Sequence, residues 1–191
     1  MTDIITAINT WAFQAVGAVS SQPLNSVLGP LAASFLVVLP LVAVWLYYKK
    51  DRNVFSFAVA VVVLYIIGDI IKNIVMEPRP CSLPQLSWIN HVGCEAGFSF
   101  PSNHAMTLTG PILFVKGYRY LRWLYFVWLA LILFGRVYLG QHYLTDVIGG
   151  IVLSLVFGYA LYRYRERINA LCMRILSRLP LLSRLAQRLS A

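Results

Sequence analysis

Apolar residues run along this chain in long blocks separated by short polar stretches. Blocks at roughly 27–48, 54–75, 103–118, 122–139 and 143–162 approach the ~20 residues a helix needs to cross hydrocarbon. The stretch 4–20, IITAINTWAFQAVGAVS, is shorter and more amphipathic, and Gln22-Pro23 breaks it from the next block. It either lies in the interface or makes a sixth, tilted span. The pattern predicts an all-α fold, a polytopic membrane bundle of about six helices. One domain is expected over 1–162, followed by a basic amphipathic tail over 163–191.

Composition agrees with the pattern. Of 191 residues, 59% are hydrophobic and only 12% charged, with a mean hydropathy of +0.71. An average soluble domain carries about 25% charged residues. The N-terminus has no basic region followed by a small-residue cleavage site, so the first hydrophobic segments are expected to act as insertion signals.

The net charge of +9 is explained by where the charge sits. Lys49, Lys50 and Arg52 follow the first long block. Lys116, Arg119 and Arg122 separate the third from the fourth, and seven arginines follow the last. With alternating spans these thirteen of the sixteen basic residues share one side, which the positive-inside rule makes cytoplasmic. In the tail Arg163, Arg167, Arg174 and Arg178 fall on one helical face, and Ile168, Leu171, Ile175 and Leu179 on another. That face suits the anionic lipids of a leaflet, whereas nucleic acid would find few aromatic side chains there. Cys81 and Cys94 share the outer loop 77–101, where a disulfide can persist. Cys172 in the tail is expected to be a free thiol.

Three basic residues lie on the other side: Lys72, Arg79 and Arg136. They sit within two of three short segments, KNIVMEPRP, FPSNHAM and GRVYLGQHYLTD, that together hold nearly all the outward-facing ionisable residues. Two arginines and a lysine at one place form an anion trap, and guanidinium suits the oxygens of phosphate. Asn103 and the amides opening the 103–118 helix add donors. His142 and Asp146 stand four apart and share a helical face. A carboxylate there holds one imidazole nitrogen as N–H and leaves the other as a nucleophile or base. His104 supplies a second imidazole, a proton donor for a leaving oxygen.

Lys72-x6-Arg79-Pro80, Pro101-Ser102-Asn103-His104 and Arg136-x5-His142-x3-Asp146 together resemble the three-part signature of the type 2 phosphatidic acid phosphatases, whose superfamily includes vanadium haloperoxidases. The resemblance covers about 54–160. It implies a six-helix bundle and a metal-independent phosphatase needing no cofactor. His142 would attack phosphorus and form a phosphohistidine, oriented by Asp146. His104 would protonate the departing oxygen and then activate water. Lys72, Arg79, Arg136 and Ser102 would hold the phosphoryl oxygens. Two positions depart from the family pattern: Gly135 where serine is usual, and Asn103 where glycine is usual.

The expected substrate is a membrane lipid phosphate or diphosphate, with undecaprenyl diphosphate favoured by resemblance to small bacterial members. Phosphatidic acid, phosphatidylglycerophosphate and lipid A phosphates are alternatives, as is phosphotransfer to another lipid. A non-enzymatic alternative is an anion-binding transporter. The site is expected on the extracytoplasmic side of the plasma or inner membrane, with the C-terminus cytoplasmic. Among other polar residues, Asp69 is expected to pair with Lys72 and aim it. His91, Glu77 and Glu95 read as loop residues, Glu77 within reach of Arg79. Trp88, Tyr138 and Tyr143 are expected in an outer aromatic belt, with Trp123 and Tyr125 in an inner one.

Overall fold

A computed structural model of the chain describes residues 2–19, 21–84, 93–179 and 189. Among them every regular element is helical, as the block pattern predicts. The helices are α1 (Thr2–Ala18), α2 (Gln22–Ala33), α3 (Phe35–Tyr48), α4 (Asn53–Val75), α5 (Asn103–Thr109), α6 (Arg119–Tyr138), α7 (Leu144–Arg163) and α8 (Arg165–Ser177). Three of them, α4, α6 and α7, are each long and apolar enough to cross a membrane. Their outer faces carry exposed Val62, Ile66, Leu124, Val127, Val152 and Val156, as lipid-facing helices do.

Two blocks differ from plain spans. Block 27–48 is α2 and α3, bent by 49° at a break around Ser34. Pro30 and Pro40 each remove a backbone donor, and the Ser34 hydroxyl donates to the Leu31 carbonyl while accepting Trp128 Nε1 at 2.8 Å. Block 103–118 is a seven-residue α-helix that tightens into a 3-10 helix over Gly110–Val115. Pro111 has no N–H to continue the ladder, so the helix stops after Thr109. This segment is almost wholly buried and packs chiefly against α7 and α4. It is therefore the bundle's axis rather than a lipid-facing span, and seven residues give it only a short dipole.

α1 packs on α6 and α7. Its buried Asn9 donates to Thr145 Oγ1 at 3.0 Å and accepts the Thr145 N–H at 3.2 Å, tying α1 to the first turn of α7. α8 is docked under α4, where Asn169 Oδ1 accepts both the Ser56 hydroxyl and the Ser56 amide. The aromatic belts are only partly as expected. Tyr138 is buried, its hydroxyl accepting the Ser21 N–H at 2.9 Å, and Tyr125 is buried with its hydroxyl on the Leu108 carbonyl. Both hydroxyls have backbone partners inside the bundle, so neither needs the interface. Tyr143 leans on Phe13, while Trp123 is exposed. Trp88 and His91 lie outside the described residues.

Candidate active site

The ends of α4, α6 and α7 and the start of α5 meet at one end of the bundle. α4 stops because Met76 turns left-handed (φ 54°) and Pro78 follows. α6 closes in a tight turn in which the Arg136 carbonyl accepts the amides of both Gln141 and His142 at 3.1 Å. Gly140 at φ 67° makes that turn possible. α7 then restarts with Asp146 in its first turn, whose Oδ2 accepts the Tyr143 N–H at 2.8 Å. The same carboxylate thus caps the helix and faces the histidine.

All three sequence segments converge here. His142, about 1% exposed, places Nδ1 3.5 Å from Asp146 Oδ2 and Nε2 3.4 Å from Arg79 Nη1. Guanidinium can only donate, so Nε2 is the acceptor nitrogen and Nδ1 carries the hydrogen toward Asp146. The nitrogen left with a lone pair is therefore the one aimed at the arginines. Burial pushes the His142 pKa down to about 4, against the raising pull of its bond to Asp146, so the ring is neutral at neutral pH.

Arg136 is buried, and its Nε meets no partner among the described residues. Ser102 Oγ is likewise buried without a partner among the described residues, while the Ser102 amide donates to the Asp146 carbonyl at 3.2 Å. Two buried donors unpartnered among the described residues thus lie beside a neutral imidazole. Arg79 donates to the carbonyls of Gln141, Ala96 and Gly97, and Lys72 Nζ to those of Phe98 at 2.7 Å and Ser99 at 3.1 Å. Pro80 opens a short 3-10 turn after Arg79 and is buried. His104 directs a ring nitrogen to the Ala32 carbonyl and meets Phe35 edge-on at 5.3 Å. The break between α2 and α3 thereby holds the second imidazole. Asn103 turns its side-chain oxygen against Gly68 of α4, and a side chain at Gly135 would point at Leu28 of α2.

Two expectations fail. Asp69 does not pair with Lys72: it is exposed, and its Oδ2 takes Asn73 Nδ2 at 3.4 Å. Lys72 shares its inward face with Gly68, one turn earlier, while position 69 lies about 100° around the helix. Glu77 does not pair with Arg79 either, because Arg79 faces Glu95 at 3.6 Å.

Glu95 itself is more than a loop charge. Its Oε2 lies 2.5 Å from Arg136 Nη2, and its amide donates to Gln141 Oε1 at 3.0 Å. Partial burial raises its pKa, but Arg136 and Arg79 outweigh that and hold it below the usual carboxylate range. The Cys81–Cys94 disulfide, Cα atoms 5.6 Å apart, anchors the loop beside it. Sequence reasoning also missed Ser99, whose hydroxyl donates to Asp146 Oδ2. No regular spacing marks Ser99 or Glu95, since both act from an irregular loop. No cluster of metal-ligating side chains occurs among the described residues.

The model of the PAP2 superfamily matches residues 53–170. Undecaprenyl-diphosphatase BcrC of Bacillus subtilis is 26% identical over 173 residues, covering 85% of this chain and 86% of its own. The lipid A 4'-phosphatase of Porphyromonas gingivalis is 28% identical over 73% of this chain and 69% of its own. The crystal structure of a transmembrane PAP2-type phosphatidylglycerolphosphate phosphatase from Bacillus subtilis superposes with a TM-score of 0.68 at 22% identity, covering 88% and 89% of the two chains. The family match spans more than half of the sequence, and the signature residues it contains line one site, so the chain belongs to the PAP2 superfamily and is a multi-pass membrane phosphatase of that kind.

Proposed function

We propose that this protein hydrolyses a phosphate or diphosphate headgroup of a membrane lipid through a phosphohistidine, with a polyprenyl diphosphate such as undecaprenyl diphosphate as substrate. The observation that carries the chemistry is the neutral His142, its acceptor nitrogen Nε2 facing Arg79, beside the donors Arg136 Nε and Ser102 Oγ, unpartnered among the described residues. Nε2 attacks phosphorus as the bond to the leaving oxygen breaks, and His104, whose buried ring is neutral before substrate binds and takes up a second proton beside the bound phosphate anion, gives that proton to the leaving oxygen. Asp146 stabilises the positive charge that develops on His142. Lys72, Arg79, Arg136 and Ser102 hold the equatorial oxygens, in a transition state where positioning and charge do most of the catalysis. His104 then takes a proton from water, which releases phosphate and restores the ring.

Two observations support a lipid substrate. An apolar groove lined by Leu36, Leu39, Phe57, Val61 and Val62 runs between α3 and α4 from Phe35, which itself touches His104. The relatives act on lipid phosphates of several kinds. The undecaprenyl reading rests on the broad match to the Bacillus undecaprenyl-diphosphatase. By the positive-inside argument the site faces the extracytoplasmic side. Exposed Leu171, Ile175 and Leu179 support tail contact with an anionic leaflet.

Phosphate release by the purified protein in detergent, across undecaprenyl diphosphate, phosphatidylglycerophosphate, phosphatidic acid and lipid A phosphate, tests this. Highest kcat/KM on the polyprenyl diphosphate is expected, unchanged by chelator and inhibited by vanadate. Preference for another lipid in the panel would replace the substrate and keep the chemistry.

Glu95 gives a second measurable consequence. Its carboxylate competes with any anion for Arg136, so Glu95→Gln should tighten inhibition by inorganic phosphate about 5- to 30-fold, the Coulomb energy of one half-exposed charge. An unchanged inhibition constant would place the phosphate away from Arg136.

A further inference from the structure

Asp146 is fully buried, and its two oxygens are treated very differently. Oδ2 accepts the Ser99 hydroxyl and the Tyr143 amide and faces His142 Nδ1. Oδ1, equally enclosed, meets no N–H or hydroxyl donor from any described residue. A buried carboxylate oxygen left without a donor costs roughly 1–3 kcal/mol, more when charged. The side chain that does reach Asp146 is Glu77, whose carboxyl lies within hydrogen-bonding distance of it. Glu77 is placed there from both sides. The left-handed turn at Met76 swings the chain back after α4, and the Glu77 carbonyl accepts the Ser99 amide at 2.7 Å. One residue, Ser99, is thus joined to Glu77 through its backbone and to Asp146 through its hydroxyl.

Two carboxyls in contact share a proton, because both cannot be charged there. We propose that Glu77 is the protonated member and donates its O–H to Asp146 Oδ1, making it a positioning residue that fixes the carboxylate which orients His142. Asp146 keeps the negative charge, since its other oxygen already holds two donors and faces the imidazole. Burial and then the neighbouring Asp146 push the Glu77 pKa up to about 7. The groups facing the pair are His142 and Tyr143 from the turn, Asp146 from α7, Lys72 from α4, and Arg79 two residues after Glu77. The bond is therefore present at acidic pH and is lost as Glu77 ionises through about pH 7. The second negative charge then repels Asp146 and disturbs its hold on His142.

The inference rests on the phosphatase reading of the site, and the test separates the two. The kcat of the wild type and of Glu77→Gln is measured between pH 5 and about 9 on undecaprenyl diphosphate, phosphatidylglycerophosphate and phosphatidic acid, with His142→Ala as blank. Wild-type kcat is expected to fall as pH rises through about 7. Glutamine keeps an N–H donor at every pH, so Glu77→Gln should retain neutral activity within a few-fold and lose that alkaline limb. Glu77→Ala should lower kcat about 10- to 100-fold with KM little changed. An alkaline limb that survives in Glu77→Gln, or full activity in a folded Glu77→Ala, would overturn the role of Glu77. Failure of the phosphatase reading looks different: wild-type turnover no greater than that of His142→Ala. Should Glu77→Ala not fold, the Glu77→Gln profile alone decides.

Discussion

His142→Ala is expected to abolish phosphate release, lowering kcat by at least about 10⁴-fold while the protein stays folded in detergent. Removing a covalent nucleophile leaves only the binding and charge stabilisation of the surrounding donors, and such residual catalysis is small. The anion site itself persists in this variant, because Arg79, Arg136 and Ser102 come from other elements. Vanadate or inorganic phosphate should therefore still raise its melting temperature. That combination, binding kept and turnover lost, separates an enzyme from an anion-binding transporter, which would tolerate the change. Rapid acid quench of the wild type with a ³²P-labelled substrate should trap an acid-labile phosphoprotein that the variant lacks. Turnover within tenfold of wild type in His142→Ala would sink the phosphohistidine mechanism.

Most of this site was legible in the sequence because its chemistry is carried by residues with fixed spacing at helix ends. The four-residue step from His142 to Asp146 is dictated by the helix, and the structure places the pair 3.5 Å apart. Lys72, Arg79 and Arg136 stood out because alternating spans set them on the side opposite the other thirteen basic residues. What could not be read was contributed by irregular backbone. Glu95 reaches Arg136, and Ser99 reaches Asp146, from a loop whose path is set by the Cys81–Cys94 bond and by carbonyls held by Lys72 and Arg79. The Asp69–Lys72 pairing failed for a related reason. Three residues apart on a helix brings side chains close, but burial decides their direction, and Lys72 turns inward to carbonyls that no local pattern announces. The bend around Ser34 was also hidden within an unbroken apolar block, yet it supplies the Ala32 carbonyl to His104.

Asp146→Asn should cost about 10³- to 10⁴-fold in kcat, nearly as much as losing the nucleophile, although one atom changes. The carboxylate does three things at Oδ2: it accepts the Ser99 hydroxyl, accepts the Tyr143 amide at the start of α7, and faces His142 Nδ1. An asparagine oxygen can still take the first two, so the helix start survives and the loss of melting temperature should be small. What it cannot do is insist on a hydrogen at Nδ1. With its oxygen in that place a neutral amide accepts the Nδ1 hydrogen only weakly, so the tautomer with hydrogen on Nε2, which lacks the lone pair aimed at Arg79 and phosphorus, gains population. The negative charge that stabilises the phosphohistidine's developing positive charge goes as well. The pH profile checks the same logic. In the wild type, burial sets the His142 pKa near 4 while Asp146 pulls upward, so the acid limb of kcat/KM is expected there. Without the carboxylate the limb should move lower still, and higher pH should restore nothing, because the defect is orientation and charge rather than protonation. A variant within tenfold of wild type, with an unmoved acid limb, would remove Asp146 from the orientation of His142 and leave it only its place at the head of α7.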